Sequence, residues 1–323
     1  LVPQKGYAFR TIWISGFSRS FRPGNLLFPL KLVVAMMQAR SIIREFRPDV
    51  VVGTGGYVSG PVLRSAVALG VPTLIQEQNS HPGVTTRLLA GNVNEVHLTF
   101  ESSRRYFSRT DNLFVSGNPT RRNLEGVETG EARRYFGFDA ADRRTTLLVF
   151  GGSLGARSIN EAVAQTLPEL LARGLRVIWQ TGADPAGEWL RAAANAPSGS
   201  VWMSAFIDRM EYAYAASDLA VCRAGATTIA ELTSLGKPAI LVPYPLAAAN
   251  HQVENARSMA NAGAAELLYD HEVAEGLAGA VQTVCDPERL HVMGERSRTL
   301  GRPGAAAEIA RRTLALAQMG RNA

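Results

Sequence analysis

Apolar positions in this chain follow two alternating rhythms. Short unbroken apolar runs, closed by glycine, proline or polar residues, read as buried strands, and stretches with apolar residues every three or four positions read as helices. In the first third the pattern predicts a strand at Arg10–Ile14 and a helix from Pro29 to Arg47, with Leu30, Val33, Val34, Met37 and Ile42 at helical spacing and Arg40, Arg44 and Arg47 toward its C-terminal end. Pro48 stops that helix. A strand at Asp49–Val52, a helix from Pro61 to Leu69, a strand at Pro72–Ile75, a helix at Thr85–Ala90 and weaker strands at Glu95–Thr99 and Leu113–Val115 follow. After the turn Gly117-Asn118-Pro119-Thr120-Arg121 and a polar stretch to Arg144, a second series begins. Its strands fall at Thr146–Phe150, Arg176–Gln180, Val201–Ala205, Leu219–Cys222, Ala239–Val242 and Ala265–Leu268, with helices between. Two α/β domains with doubly wound parallel sheets are expected, one over residues 1–118 and one over 119–304.

Three strand-to-helix corners are rich in small residues: Gly53-Thr54-Gly55-Gly56-Tyr57-Val58-Ser59-Gly60, Gly151-Gly152-Ser153-Leu154-Gly155, and Arg223-Ala224-Gly225 leading into Ala226, Thr227 and Thr228. Such corners expose the N–H groups of a helix start to an anion, and in an open α/β sheet they lie at the strand ends where ligands bind. Glu231 follows the third corner by little more than a helical turn, so a phosphate site and a carboxylate able to accept both hydroxyls of a ribose lie close together. None of the corners matches GxGxxG or GxxxxGK[ST], and the strand ending at Gln180-Thr181 offers no acidic residue for a dinucleotide ribose. The set favours a nucleotide-diphosphate ligand held by something other than a dehydrogenase or a P-loop ATPase.

Composition narrows this further. The 323 residues are 46% hydrophobic, enough for a large core in two domains. Cys222 and Cys285 are the only cysteines and form no CxxC pair, which argues against a disulfide framework or a zinc site. No signal-peptide pattern is apparent, and the apolar run from Leu26 to Met37 is broken by Pro29 and Lys31 and too short to span a bilayer. The net charge of +6, with all but Lys5, Lys31 and Lys237 of the 34 basic residues being arginine, favours anionic partners.

Val52-Gly53-Thr54-Gly55-Gly56-Tyr57-Val58-Ser59-Gly60-Pro61, Glu77-Gln78-Asn79, Gly117-Asn118-Pro119, Phe150-Gly151-Gly152-Ser153-Leu154-Gly155-Ala156-Arg157 and the stretch from Val221 through Glu231 together resemble the MurG family of glycosyltransferases, in the right order over essentially the whole chain. The resemblance implies a GT-B architecture of two Rossmann-like domains facing a cleft, with a C-terminal helix at 305–318 returning to the N-terminal domain. It implies an inverting transfer of N-acetylglucosamine from its UDP donor to undecaprenyl-pyrophosphoryl-N-acetylmuramyl-pentapeptide, at the cytoplasmic face of the plasma membrane, with no cofactor and no nucleic-acid partner.

The resemblance also implies roles. Ile207 presents its backbone to the uracil, Ser153 and Arg121 lie near the diphosphate and nucleoside, Ala226, Thr227, Thr228 and Ile229 form the phosphate-binding helix start, Ala230 counts among the substrate-binding residues, and Glu231 clamps the ribose. Gln252 and Asn79 bond the sugar hydroxyls. The chain departs from the family at His251, where some members carry Gln, and at Thr227, where Leu is common. Family members open with a strand and a GGTGGH-like loop that this chain does not contain, so the N-terminal domain is expected to lack its first βα unit. The histidine most often proposed as base lies in that loop, and the chain as given is expected to bind UDP but transfer little sugar. His81 and His251 are the weak substitutes. No paired-carboxylate motif near the glycine corners would hold a metal, so the leaving diphosphate falls to backbone N–H groups, Ser153 and Arg121. Another UDP-sugar enzyme on this architecture, a 2-epimerase or glycolipid synthase, and a nucleotide-binding protein without turnover remain as alternatives.

The N-terminal region carries one more pattern. Phe21, Leu26, Leu27, Phe28, Leu30, Val33 and Met37 lie among Arg19, Arg22, Lys31, Arg40 and Arg44, an apolar patch rimmed by cations as expected of a surface docking onto anionic lipid. The same residues could equally pack a helix onto a sheet.

Overall fold

The computed structural model describes residues 2–16, 27–121, 123–152, 155–183, 189–247 and 250–321. The chain forms two compact units, Leu1–Asn118 with Gly304–Ala323, and Pro119–Pro303.

In the first unit the elements run α1 (Phe28–Phe46), β1 (Val51–Gly53), α2 (Gly56–Ala68), β2 (Thr73–Glu77), α3 (Val84–Leu89), β3 (Glu95–Leu98) and β4 (Leu113–Val115). The four strands pair in chain order, all parallel. The last helix of the chain, Ala305–Arg321, belongs to this unit: its Ile309 and Leu316 are buried with Leu74 of β2.

Three local expectations are corrected here. Residues 10–14 form no strand: the Trp13 N–H donates to the Gln38 side chain at 2.7 Å, and the Ile14 N–H turns back to the Ile12 carbonyl. The second helix starts at Gly56, inside the glycine corner, so that Pro61 stands within it. In α1 the face that packs is the small-residue one. Ala35, Ala39 and Ile43 are buried, whereas Leu30, Val33 and Met37 are more than half exposed at 54%, 54% and 59%. Small residues on α1, with Ala66 of α2 fully buried opposite, let the two helices approach closely, and Ser65 donates to the Met36 carbonyl. The large apolar side chains are left outside.

The second unit contains α4 (Thr129–Tyr135), β5 (Thr146–Phe150), α5 (Arg157–Ala172), β6 (Arg176–Gln180), α6 (Trp189–Ala194), β7 (Val201–Ser204), α7 (Met210–Ala216), β8 (Leu219–Cys222), α8 (Ala226–Leu235), β9 (Ala239–Leu241), α9 (His251–Asn261), β10 (Ala265–Leu267), α10 (Val273–Val284) and α11 (Pro287–Leu300); the C-terminal helix Ala305–Arg321 is α12. Its six strands are parallel in the order β10-β9-β8-β5-β6-β7. The chain works outward from β5 through β6 to β7, returns to the other side of β5 at β8, and works outward again. That is a doubly wound sheet, with its reversal between β5 and β8. Strands β5, β6 and β8 are buried along their whole length, which is why they read as unbroken apolar runs. Between the sheet and its helices Val149, Val177, Trp179 and Val221 pack against Ile159, Val163, Leu277 and Val281.

Candidate functional site

The C-terminal ends of β5 and β8 flank the topological reversal of the second unit, and each opens into a corner built for close approach. After β5, Gly155 has φ +78, and a side chain there would put its Cβ 2.3 Å from the Thr181 carbonyl oxygen; a Cβ on Gly151 would lie 2.3 Å from the Ala156 nitrogen. Only glycine lets the backbone turn this tightly against β6. Ser153 lies outside the described residues. After β8, Gly225 caps α8 with no side-chain hydrogen bond, so the first turn of the helix is not sealed by its own cap. The turn is fixed from behind by Asn255, fully buried, whose amide donates to the Ala224 carbonyl at 3.2 Å. The Ile229 N–H already bonds to the Gly225 carbonyl, and the Ile229 and Ala230 side chains are buried. Ala226, Thr227 and Thr228 make up the first turn of α8.

Glu231 sits one turn further along α8 and is 4% exposed. The Tyr214 hydroxyl, itself buried, donates to its Oε2 at 2.9 Å, and the Arg121 guanidinium lies 3.4 Å from Oε1, where it forms an ion pair without a hydrogen bond. Oε1 is thus a buried carboxylate oxygen that accepts no hydrogen bond from the described residues. Burial pushes the Glu231 carboxyl above its usual range, against the opposing pull of Tyr214 and Arg121. Burial likewise raises the Tyr214 phenol well above its ordinary value, so it is a fixed donor. Buried acceptors without a hydrogen bond are rare in folded proteins, so this oxygen marks Glu231 as a candidate site residue.

Around this pair a polar frame fixes the strand ends. Arg223 donates to Asp270 at 2.5 Å, to Ser158 at 3.0 Å and to the Val242 and Pro243 carbonyls, while Ser158 donates to the same Asp270 at 2.6 Å. The start of α5 and the ends of β8, β9 and β10 are thereby tied together. The Ile207 N–H is held by Gln180, which leaves the Ile207 carbonyl as the available half of the backbone unit expected to face a base. Gln252, at the start of α9, accepts the Tyr244 N–H at 3.0 Å, so its side-chain oxygen is already engaged in holding the loop after β9.

In the first unit, Asn79 and His81 lie in the loop after β2. That loop is stapled by Glu77, whose carboxylate oxygens accept the Asn79 N–H at 3.1 Å and the Gly83 N–H at 3.0 Å, and by Ser103, which donates to the Asn79 and Ser80 carbonyls. The ring of His81 meets Tyr106 edge-on at 4.8 Å. His251 opens α9 in the second unit, after Asn250 in the left-handed region at φ +55. Neither histidine is shown next to a reacting group. Among the described residues no cluster of three or more His, Cys, Asp or Glu side chains could hold a metal ion.

The structure brings Glu231 together with Arg121 and the α8 start, as the chain order alone could not show. Sequence reasoning missed Tyr214, Gln180 and Arg223. Of these only Gln180 left a signal, a polar residue ending an otherwise apolar strand.

Two parallel-sheet α/β units, one of them doubly wound with a buried orphan carboxylate beside an open helix start, define the GT-B class of nucleotide-sugar glycosyltransferases. The glycosyltransferase family 28 N-terminal domain matches residues 1–98 and the glycosyltransferase family 28 C-terminal domain matches residues 146–309. The chain is 46% identical to a UDP-N-acetylglucosamine–N-acetylmuramyl-(pentapeptide) pyrophosphoryl-undecaprenol N-acetylglucosamine transferase of Prosthecochloris aestuarii, over 98% of this chain and 87% of the relative. It is 41% identical to the protein of the same name from Porphyromonas gingivalis, over 95% of this chain and 82% of the relative. Among solved structures, the MurG crystal structure from Acinetobacter baumannii superposes with a TM-score of 0.76 at 27% identity, covering all of this chain and 87% of that one. A UDP-GlcNAc 2-epimerase from Neisseria meningitidis, bound to UDP-GlcNAc, has a TM-score of 0.62 at 15% identity over 92% of this chain and 83% of that one, a likeness of fold. The chain belongs to glycosyltransferase family 28, in the branch of these N-acetylglucosamine transferases.

Proposed function

We propose that this protein transfers N-acetylglucosamine from UDP-N-acetylglucosamine to undecaprenyl-pyrophosphoryl-N-acetylmuramyl-pentapeptide, the step that completes the lipid-linked disaccharide of peptidoglycan synthesis. The observation that carries the reading is the buried Oε1 of Glu231, ion-paired with Arg121 but without a hydrogen bond among the described residues, beside the α8 start, in a chain whose relatives at 46% identity carry that activity in their name. The ribose hydroxyls of the donor satisfy Oε1, and the uracil imide N–H donates to the Ile207 carbonyl. The diphosphate meets the N–H groups of Ala226, Thr227 and Thr228, with Arg121 and Ser153 nearby.

The chemistry assigns the remaining tasks. An acceptor hydroxyl oxygen bonds to the anomeric carbon as the bond from that carbon to the diphosphate oxygen breaks, with inversion. The hydroxyl proton passes to a base, and negative charge grows on the departing UDP. A helix start and a guanidinium stabilise that charge as it forms. His81 and His251 are the candidate bases on this chain, and Asn79 and Gln252 the candidate contacts to the transferred sugar.

The acceptor is a lipid, which favours a peripheral site at the cytoplasmic face of the plasma membrane. No helix among the described residues is long and apolar enough to cross a membrane. Leu27, just before α1, and Leu30, Val33 and Met37 on it are exposed, with Arg40 and Arg44 exposed further along the helix, an amphipathic face suited to anionic lipid. Arg19, Phe21, Arg22 and Leu26 lie outside the described residues.

The test follows UDP release with and without the lipid-linked muramyl-pentapeptide, on the product of the whole coding sequence. Acceptor-dependent release with a hexosamine added to the lipid supports the reading. Conversion of UDP-N-acetylglucosamine to its 2-epimer without acceptor would replace transfer with epimerisation.

A further inference from the structure

Gln180 closes β6 and is 4% exposed. Its amide is used at both ends: Nε2 donates to the Gly152 carbonyl at 2.9 Å, and Oε1 accepts the Ile207 N–H at 2.9 Å. Gly152 belongs to the glycine corner after β5, and Ile207 to the loop after β7. One side chain therefore ties together two loops that no backbone ladder joins. The residue carrying it is itself fixed by its neighbours. The Trp179 indole donates to Asn160 at 3.0 Å, and Asn160 donates to the Thr181 carbonyl at 2.8 Å, so the residues on either side of Gln180 are anchored to α5. The amide cannot be turned over without setting its oxygen against a carbonyl and its NH2 against an N–H.

We propose that Gln180 is the positioning residue that sets both base selectivity and the spacing between base and diphosphate in a bound nucleoside diphosphate. The inference rests on the donor reading given above. By consuming the Ile207 N–H, Gln180 leaves that residue only a carbonyl to offer, and a carbonyl accepts from a base that carries an N–H at N3. Uracil does; cytosine has a lone pair there and meets the carbonyl with repulsion. By holding the Gly152 carbonyl through the other end of the same amide, Gln180 fixes the diphosphate corner at a set distance from the base loop, so the two halves of the ligand are bound in register. Glutamate at this position can accept from Ile207 but cannot donate to Gly152, and methionine, of similar length, does neither. The two substitutions separate the two tasks.

The experiment is calorimetric titration of UDP, CDP and uridine into the parent chain, Gln180→Met, Gln180→Glu and Glu231→Ala, with a thermal melt of each. Gln180→Met is expected to weaken UDP binding roughly tenfold, as two buried hydrogen bonds of modest net value are lost, and to shrink the preference for UDP over CDP. Gln180→Glu is expected to keep most of that preference while losing much of the affinity that UDP gains over uridine. Ratios between ligands do not depend on the fraction of protein folded, so a lowered melting temperature leaves the comparison intact. If both Gln180 variants keep the parent's UDP-to-CDP and UDP-to-uridine ratios while Glu231→Ala loses UDP, the inference is wrong and the donor site stands. If Glu231→Ala binds UDP as the parent does, the donor reading itself is wrong.

Discussion

The Tyr214 hydroxyl holds one oxygen of the Glu231 carboxylate, Oε2, at 2.9 Å in the buried floor of the second unit, and leaves the other, Oε1, without a hydrogen bond. Tyr214 thus decides which oxygen is left without a hydrogen bond. Tyr214→Phe removes that restraint while preserving packing against Phe150, whose ring lies 6.2 Å away. UDP binding is expected to weaken by about 1 kcal/mol, the net value of one buried hydrogen bond, with little change in melting temperature. Calorimetry against the parent checks this, and unchanged affinity would mean that the carboxylate is held by α8 alone.

The same orphan oxygen makes a prediction about stability. Burial raises the Glu231 carboxyl above its ordinary 4.5, so the folded state holds the proton more tightly than the unfolded one. The stabilising contribution is complete below 4.5 and is lost as pH rises through the higher folded value. Once that contribution is lost, the buried carboxylate costs stability in ligand-free protein. Glu231→Gln, which still accepts from Tyr214, should raise the melting temperature by about 2 to 4 °C at pH 7 and by less at pH 4, while binding UDP more weakly. Melts across that range, without nucleotide, measure it; a variant that melts below the parent at pH 7 would contradict it.

Acid should act on the first unit in the opposite sense. Glu95 of β3 accepts both a bidentate pair from Arg312 of α12, at 2.8 and 2.7 Å, and a contact from His97 at 2.9 Å; the other His97 nitrogen meets Ser116 at 2.7 Å. Burial holds His97 below its ordinary 6.5, against the pull of Glu95. Burial pushes Glu95 upward, but hydrogen bonds from Arg312 and His97 outweigh it and hold the carboxyl below 4.5. Both groups stabilise the fold at neutral pH and lose that contribution as pH falls, His97 from about 6.5 downward and Glu95 from about 4.5 downward. Protection factors of the α12 amides, exchange corrected for its intrinsic pH dependence, should therefore fall between pH 7 and pH 5, and His97→Gln should flatten that fall. Protection factors in α12 that are flat with pH in the parent would rule out the coupling.

How much of this was legible in the sequence differs between the units. Strands β5, β6, β8 and β4 appear where their apolar runs end, because a strand covered on both faces has no polar alternation to blur its limits. The α8 start and Glu231 were legible because a glycine corner and a helix register fix both locally. Tyr214 was not, since it lies 17 residues away on another helix and meets Glu231 only through the packing of α7 against the sheet. Helix α1 was legible in extent and left open in orientation. Its large apolar residues suit either an exposed face or a core face, and close packing on α2 selects Ala35 and Ala39 and turns Leu30, Val33 and Met37 outward.

That outward face makes the membrane proposal testable. Replacing Leu30, Val33 and Met37 together by Ser removes three exposed apolar side chains without touching the buried side of α1, so folding should be unaffected. Binding to vesicles rich in anionic lipid should fall by at least tenfold, since each inserted side chain contributes about 1.5 kcal/mol or more. Added salt should weaken the parent's binding. Co-sedimentation provides the measurement, and equal binding to neutral and anionic vesicles would count against the proposal.

Whether Glu231 Oε1 accepts ribose hydroxyls is measured most directly by a cycle of two proteins and two ligands: the parent and Glu231→Ala, each titrated with UDP and 2'-deoxy-UDP. The parent should lose about 1.5 to 3 kcal/mol on removal of the 2'-hydroxyl, the value of a hydrogen bond to a charged acceptor, and Glu231→Ala should lose little more when the hydroxyl is absent. Equal losses on deoxygenation in the two proteins would show that the ribose does not touch this carboxylate, and the nucleotide would have to lie elsewhere.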